Sequence, residues 1–124
     1  MPHTESWDAE GCFIVAQMSG RVTKDDLDAA RASTTHMSQD HGPCGLLIDM
    51  RLGIPAADQF DLFASIRTKA ADDTRRVTRE ALVMKDNATH SPQFWEHVSN
   101  SSGVTARWFT DLDPAREWLS SSGT

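Results

Sequence analysis

Residues Gly45 to Met50 read GLLIDM, a short and almost unbroken apolar run, with His41, Gly42 and Pro43 before it and a loop-like stretch, Arg51 to Pro55, after it. A strand exposed on one face alternates polar and apolar residues, whereas one covered on both faces of a mainly parallel sheet does not. Gly45 to Met50 is therefore expected at the centre of a sheet with helices packed against it.

The flanking segments supply those helices. Towards the N-terminus, Thr23 is an N-cap, Asp25 and Asp26 sit in the first turn where the helix dipole favours acids, and Val22 can staple against Leu27. Leu27, Ala30, Thr34 and Met37 then recur at helical spacing until His41, Gly42 and Pro43 stop the helix. Further upstream, Cys12 to Met18 is β-prone, and Glu10-Gly11 forms a turn from an edge strand around Ser6 to Ala9, which predicts a β-hairpin. Towards the C-terminus, Phe60, Phe63, Ile66 and Ala70, flanked by Leu62, predict a second amphipathic helix with Pro55 in its first turn. A strand at Ala81 to Met84, extending back through Val77, follows. Ser91 and Pro92 open a third helix carrying Phe94, Trp95 and Val98 inward and ending near Asn100 to Gly103. The strand Thr105 to Phe109 leads into a last helix with Ala115, Trp118 and Leu119 on one face, and residues 120–124 are expected to fray. The right-handed crossover rule turns this order into an α/β fold: a mostly parallel mixed sheet of about five strands with an N-terminal β-hairpin and four helices.

The chain has 124 residues, enough for one core and too few for two, so residues 1–124 are read as a single domain. Its net charge of −6 argues against nucleic acid as a partner, because phosphate-backbone affinity rests on clustered Lys and Arg. Arg75, Arg76 and Arg79 form the one basic cluster, and with Asp72, Asp73 and Glu80 around them they read as a solvated loop entering a strand, with a small anion site as the rival reading. Cys12 and Cys44 open two separate apolar runs and are expected reduced and at least partly buried. The N-terminus lacks the basic-then-apolar pattern of a leader, and no run approaches the ~18 apolar residues of a spanning helix. The expected location is the cytoplasm, with no membrane span.

The segments GLLIDMR at Gly45 to Arg51, after a helix opened by VTKDDL, and RWFTDLDPAREWL at Arg107 to Leu119, together with the element order, resemble the STAS domain and more closely its SpoIIAA-like branch. The resemblance covers nearly the whole chain and implies a non-catalytic binding or protein-interaction module. In anti-sigma-factor antagonists of the wider family, a phosphorylated serine lies between the central strand and the next helix. The matching segment here, Arg51 to Asp58, holds no Ser or Thr, and the next is Ser65, well inside the helix. The phospho-switch is therefore not carried over.

Ligands of parallel sheets collect beyond the carboxyl ends of the strands. That rim holds Asp49, Arg51, Gly53, Lys85, Asp86, Asn87, Thr110 and Asp111, and the loop Gly53 to Ala57 lacks a side-chain N-cap, leaving backbone N–H groups for an anion or a partner. The plainer reading gives these residues to turns, caps and surface ion pairs. LLIDMRLGIPAADQF also resembles the phosphoacceptor segment of receiver domains, with Asp49 as acceptor. Phosphorylation there needs a metal held by further carboxylates, which Met18 to Arg21 do not supply, and one β-α unit is missing before Asp49. A small enzyme using the rim carboxylates is the other alternative and requires a deep pocket with a shifted pKa. His3, His36, His41, His90 and His97 show no metal-ligand spacing, and neither a metal nor a cofactor is expected. Cys44 after His41-Gly-Pro reads as a buried small residue rather than an activated thiol. The partners implied are a small apolar or anionic ligand, a protein, or a second copy in a homodimer held by Trp7, Trp95, Trp108 and Phe109.

Overall fold

The strands lie side by side in chain order. The computed structural model describes residues 3–85 and 92–120. Its five-stranded sheet runs β1 (His3–Asp8), β2 (Phe13–Val22), β3 (Cys44–Pro55), β4 (Val77–Val83), β5 (Ala106–Phe109). β1 is antiparallel to β2 and the other three pairings are parallel, so β3 is central, as its apolar run predicts. The helices are α1 (Lys24–His41), α2 (Gln59–Ala71), α3 (Pro92–Ser101) and α4 (Leu112–Ser120). When parallel strands add in chain order and each crossover has the same hand, every crossover helix lands on one face. The packing follows: Ala30 of α1, Ile66 of α2 and Trp95 and Val98 of α3 share one apolar cluster. On the opposite face α4 seats Ala115 and Leu119 against Phe13, Leu47, Ala81 and Val83. Gly45 permits that approach, since a Cβ there would lie 2.9 Å from Leu119 Cδ2.

Local chemistry sets the element ends. Thr23 and Asp26 form a reciprocal capping box: the Thr23 hydroxyl accepts from the Asp26 N–H at 3.3 Å, and the Asp26 carboxylate accepts from the Thr23 N–H at 2.9 Å. Gly42, at φ 80°, ends α1 by donating its N–H to the Ser38 carbonyl. In the hairpin the Asp8 carboxylate accepts from Gly11 N–H, and Cys12 turns the chain at φ 58°. Cys12 is therefore exposed, contrary to expectation, while Cys44 is buried.

Several boundaries differ from the sequence reading. Arg51 to Pro55 is a strand, not a loop, because β2 continues to Val22 and offers paired backbone to Leu52 to Pro55. α2 begins at Gln59 rather than near Pro55, and Asp58 caps it by accepting the Asp61 N–H at 2.7 Å. The segment before α2 is thus not the uncapped helix start expected of Gly53 to Ala57. α2 is also rotated: Ile66 and Lys69 are buried and Leu62 partly so, whereas Phe60 is 82% exposed and Phe63 and Ala70 face solvent. Ser91, read as an N-cap, lies outside the described residues, as do residues 121–124; Ser120 closes α4.

The aromatic patch expected of Trp7, Trp95, Trp108 and Phe109 does not form. Trp95 is buried, Trp7 stacks on the His41 ring with centroids 3.8 Å apart, and Trp108 donates its indole N–H to the Met84 carbonyl at 2.9 Å. Among the described residues the large apolar side chains left exposed are Leu52, Ile54, Phe60 and Phe63. A bulge accounts for the first two. Asp49 pairs with Gln17 but Leu52 with Ser19, so β3 carries one extra residue there, which reverses its alternation.

Candidate functional site

The outward turn of Phe60 and Phe63 leaves the α1–α2–α3 side of the sheet underfilled. A cavity of about 640 Å³ lies there, between the sheet and these three helices. Its floor comes from alternate strand residues, Leu46, Ile48 and Met50 of β3 with Leu82 of β4 and Met84 just beyond it, and from Ala16 and Met18 of β2. Leu27 and Ala30, Leu62 and Ile66, and Phe94 and Trp95 contribute one pair from each helix. Ala16 and Ala30 hold open space that larger side chains would occupy. Pro55, Ala57, Asp58 and the exposed Phe60 line the end towards the start of α2.

The other end is closed by charge. Glu80, 1% exposed, shares the inward parity of Leu82 and Met84. Its carboxylate accepts from Lys69 Nζ at 2.6 Å and from Arg75 Nη2 at 3.2 Å. The Arg75 guanidinium also donates to Thr35 Oγ1 at 2.7 Å and Thr34 Oγ1 at 3.2 Å, which ties β4 to α1. Lys69 lies 5.9 Å from the centroid of the Trp95 ring. Burial drives the Glu80 pKa upward, but Lys69 and then Arg75 outweigh it and hold the carboxyl below its ordinary value. Arg75 is thus not on a solvated loop, and Arg79 packs its guanidinium over Trp118 at 4.5 Å and donates to its carbonyl.

The described rim residues do not form one site. Asp49, buried on the opposite face from the cavity, receives both Nε and Nη2 of Arg51 at 2.9 and 2.8 Å and the Arg51 N–H at 3.1 Å. Its pKa, raised by burial, is brought below the usual value by these contacts. Gly53 sits against Met50 and Met18, Lys85 is exposed beyond β4, and Asp111 lines a separate depression with Trp108 and Pro114. Asp86 and Asn87 lie outside the described residues. Asp49, Arg51, Gly53, Lys85, Thr110 and Asp111 do not line the cavity, although Pro55 and Ala57 of the Gly53 to Ala57 segment do. Lys69 was not singled out, and Arg75 and Glu80 were read only as part of a basic cluster on a solvated loop with a small anion site as the rival, although an acidic residue at the parity of Leu82 and Met84 is a legible signal of a buried partner.

Glu80 and Asp49 both have lowered pKa values in the folded chain, so their stabilisation is present above the unfolded carboxyl range, about 4, and fades as pH falls towards the folded values. The urea midpoint should be level from pH 7 to about 5 and drop below about 4. Unchanged stability down to pH 3 would contradict the ion-paired assignment.

Strands in chain order, an antiparallel first strand and helices on both faces define a STAS-like α/β domain. The SpoIIAA-like family model matches residues 13–120, and the chain belongs to that family. Its fold is similar to the crystal structure of an uncharacterized DUF3478-family protein with a SpoIIAA-like fold from Shewanella loihica PV-4. The TM-score is 0.64 at 12% identity over 94% of this chain and 91% of that one. No curated protein matches. Among the described residues no helix is long and apolar enough to cross a membrane.

Proposed function

We propose that this chain is a non-catalytic binding module that holds a small, mainly apolar molecule in the cavity between the sheet and α1, α2 and α3. The observation that carries the reading is the cavity itself: at about 640 Å³ it falls within the ~300–1,000 Å³ of small-molecule sites. Its wall is aliphatic and aromatic along most of its length, with most of its polar groups gathered at one end and Asp58 at the other, a distribution that orients a ligand. Lys69, Arg75 and Glu80 in that wall are engaged with one another, which suits holding a ligand more than proton transfer to it.

Nile red, a neutral apolar dye, should bind saturably with a blue-shifted emission. Ala30→Phe places a phenyl ring in the cavity and removes ligand contacts worth about 1.5–3 kcal/mol, which predicts about tenfold or more weaker binding with an unchanged or higher urea midpoint. No saturable binding by the wild type, or equal binding by Ala30→Phe, would sink the proposal.

A further inference from the structure

The closed end of the cavity carries an imbalance of charge. Lys69 and Arg75 contribute two positive charges and Glu80 one negative, so the trio is left with one positive charge in excess. The remaining charges on the cavity wall do not cancel it locally. Arg31 shares Asp28 with Lys24, at 3.2 and 2.8 Å, and Asp58 caps the far end of α2. Lys69 follows Asp58 by eleven positions along α2, a rise of about 16 Å. Asp72, beyond the end of α2, accepts from the backbone N–H and the hydroxyl of Thr74 and feels the charges of Arg75 and Arg31, but from the surface, where water screens the attraction.

The two cations differ in how fully they are used. Arg75 donates to Glu80, Thr34 and Thr35, and to the Arg31 carbonyl at 3.5 Å. A lysine ammonium has three protons to donate, and Glu80 takes one of those on Lys69. Lys69 is 9% exposed, lines the cavity and stands near the Trp95 ring. Its donors therefore sit at the charged end of a mainly apolar space, where an anion would be both attracted and sheltered from water.

We infer that the ligand is a single-chain amphiphile bearing one carboxylate, bound with that group on the Lys69 ammonium and its apolar chain lying along α2 towards Phe60. This rests on the apolar-ligand reading above and deepens it. The length of α2 between Lys69 and Asp58 fits an extended medium chain, and the acid at Asp58 disfavours placing the carboxylate at that end. Burying one anion beside the trio brings its charge to zero, so the carboxylate adds to binding where a hydroxyl would not.

The test compares lauric acid with lauryl alcohol by isothermal titration at pH 7, below the concentration at which either aggregates. The wild type should prefer the acid by about ten- to a hundredfold, the range of a charge-assisted hydrogen bond. Lys69→Met should keep the alcohol and lose the preference. Because that change strips a partner from Glu80, the double variant Lys69→Met with Glu80→Gln serves as the second probe and should show the same loss. Equal binding of acid and alcohol by the wild type, or an undiminished preference in both folded variants, overturns the carboxylate assignment and leaves the apolar reading standing. Binding of neither compound, together with no binding of Nile red, overturns both.

Discussion

Glu80→Ala is expected to lower the unfolding free energy by about 3–5 kcal/mol, a large share of the ~5–15 kcal/mol of a small domain. The carboxylate is the only anion in a buried trio, and its removal leaves the Lys69 ammonium and the Arg75 guanidinium facing each other, each stripped of a partner. Lys69→Met has a smaller cost, because Glu80 keeps Arg75 and the surviving pair is neutral. Urea unfolding of both variants at pH 7 gives the comparison. A loss of under about 1 kcal/mol for Glu80→Ala, typical of exposed pairs, or a larger loss for Lys69→Met, would mean the trio does not act as a buried charge cluster. The trio also joins three elements: α2 through Lys69, β4 through Glu80 and α1 through the Thr34 and Thr35 hydroxyls that Arg75 reaches. Glu80→Ala should therefore loosen the closed end of the cavity along with the global fold.

The fold was legible because its signals are local or short-range. Thr23 with Asp26, Gly42 after α1 and the unbroken GLLIDM run each act within a few residues, and the crossover rule converts their order into a sheet. The candidate site was not legible in the same way, and α2 shows why. Its Phe60, Phe63, Ile66 and Ala70 make a plausible apolar stripe, yet the helix turns Ile66 and Lys69 inward, because Lys69 has a buried acid to meet on a different strand. A pairing 11 residues away in sequence and across a helix–sheet interface leaves no mark on helical periodicity. Hydrophobicity alone places a lysine outside and a phenylalanine inside, and here both assignments are reversed. The same rotation that buries the charge withdraws two aromatic rings from the core, so cavity and ion cluster have one origin. The rim residues, by contrast, were chosen by a rule about strand ends. Of these, Asp49 and Arg51 do meet, but on the α4 side, where Leu47 and Leu119 fill the space.

Leu46 and Leu47 are neighbours on β3, equally buried at 2% and 1% exposure, and their replacement by alanine should have unequal effects. Their side chains point to opposite faces of the sheet. Leu47 meets the α4 side, where Phe13, Ala81, Val83, Ala115 and Leu119 pack around it. Its truncation removes both transfer free energy and the contacts of a well-filled site, for a cost towards the upper part of the ~2–5 kcal/mol range for buried leucine. Leu46 borders the cavity, so part of its surface has no protein atoms against it, and shortening it enlarges a space that already exists. Its cost should fall near the lower end, about 2–3 kcal/mol. Urea unfolding of the two variants without ligand measures the difference. Leu46→Ala costing as much as Leu47→Ala would mean that the space beside it is filled in solution by protein, and the binding proposal would lose its volume. Addition of a cavity-bound apolar molecule should stabilise the wild type by mass action and widen the gap between it and Leu46→Ala, since the leucine then has a partner to lose. Leu47→Ala, whose face the ligand does not touch, should keep its cost unchanged. Only a cavity open to ligand on one side of the sheet, backed by a closed core on the other, produces that pattern from two adjacent residues of the same type.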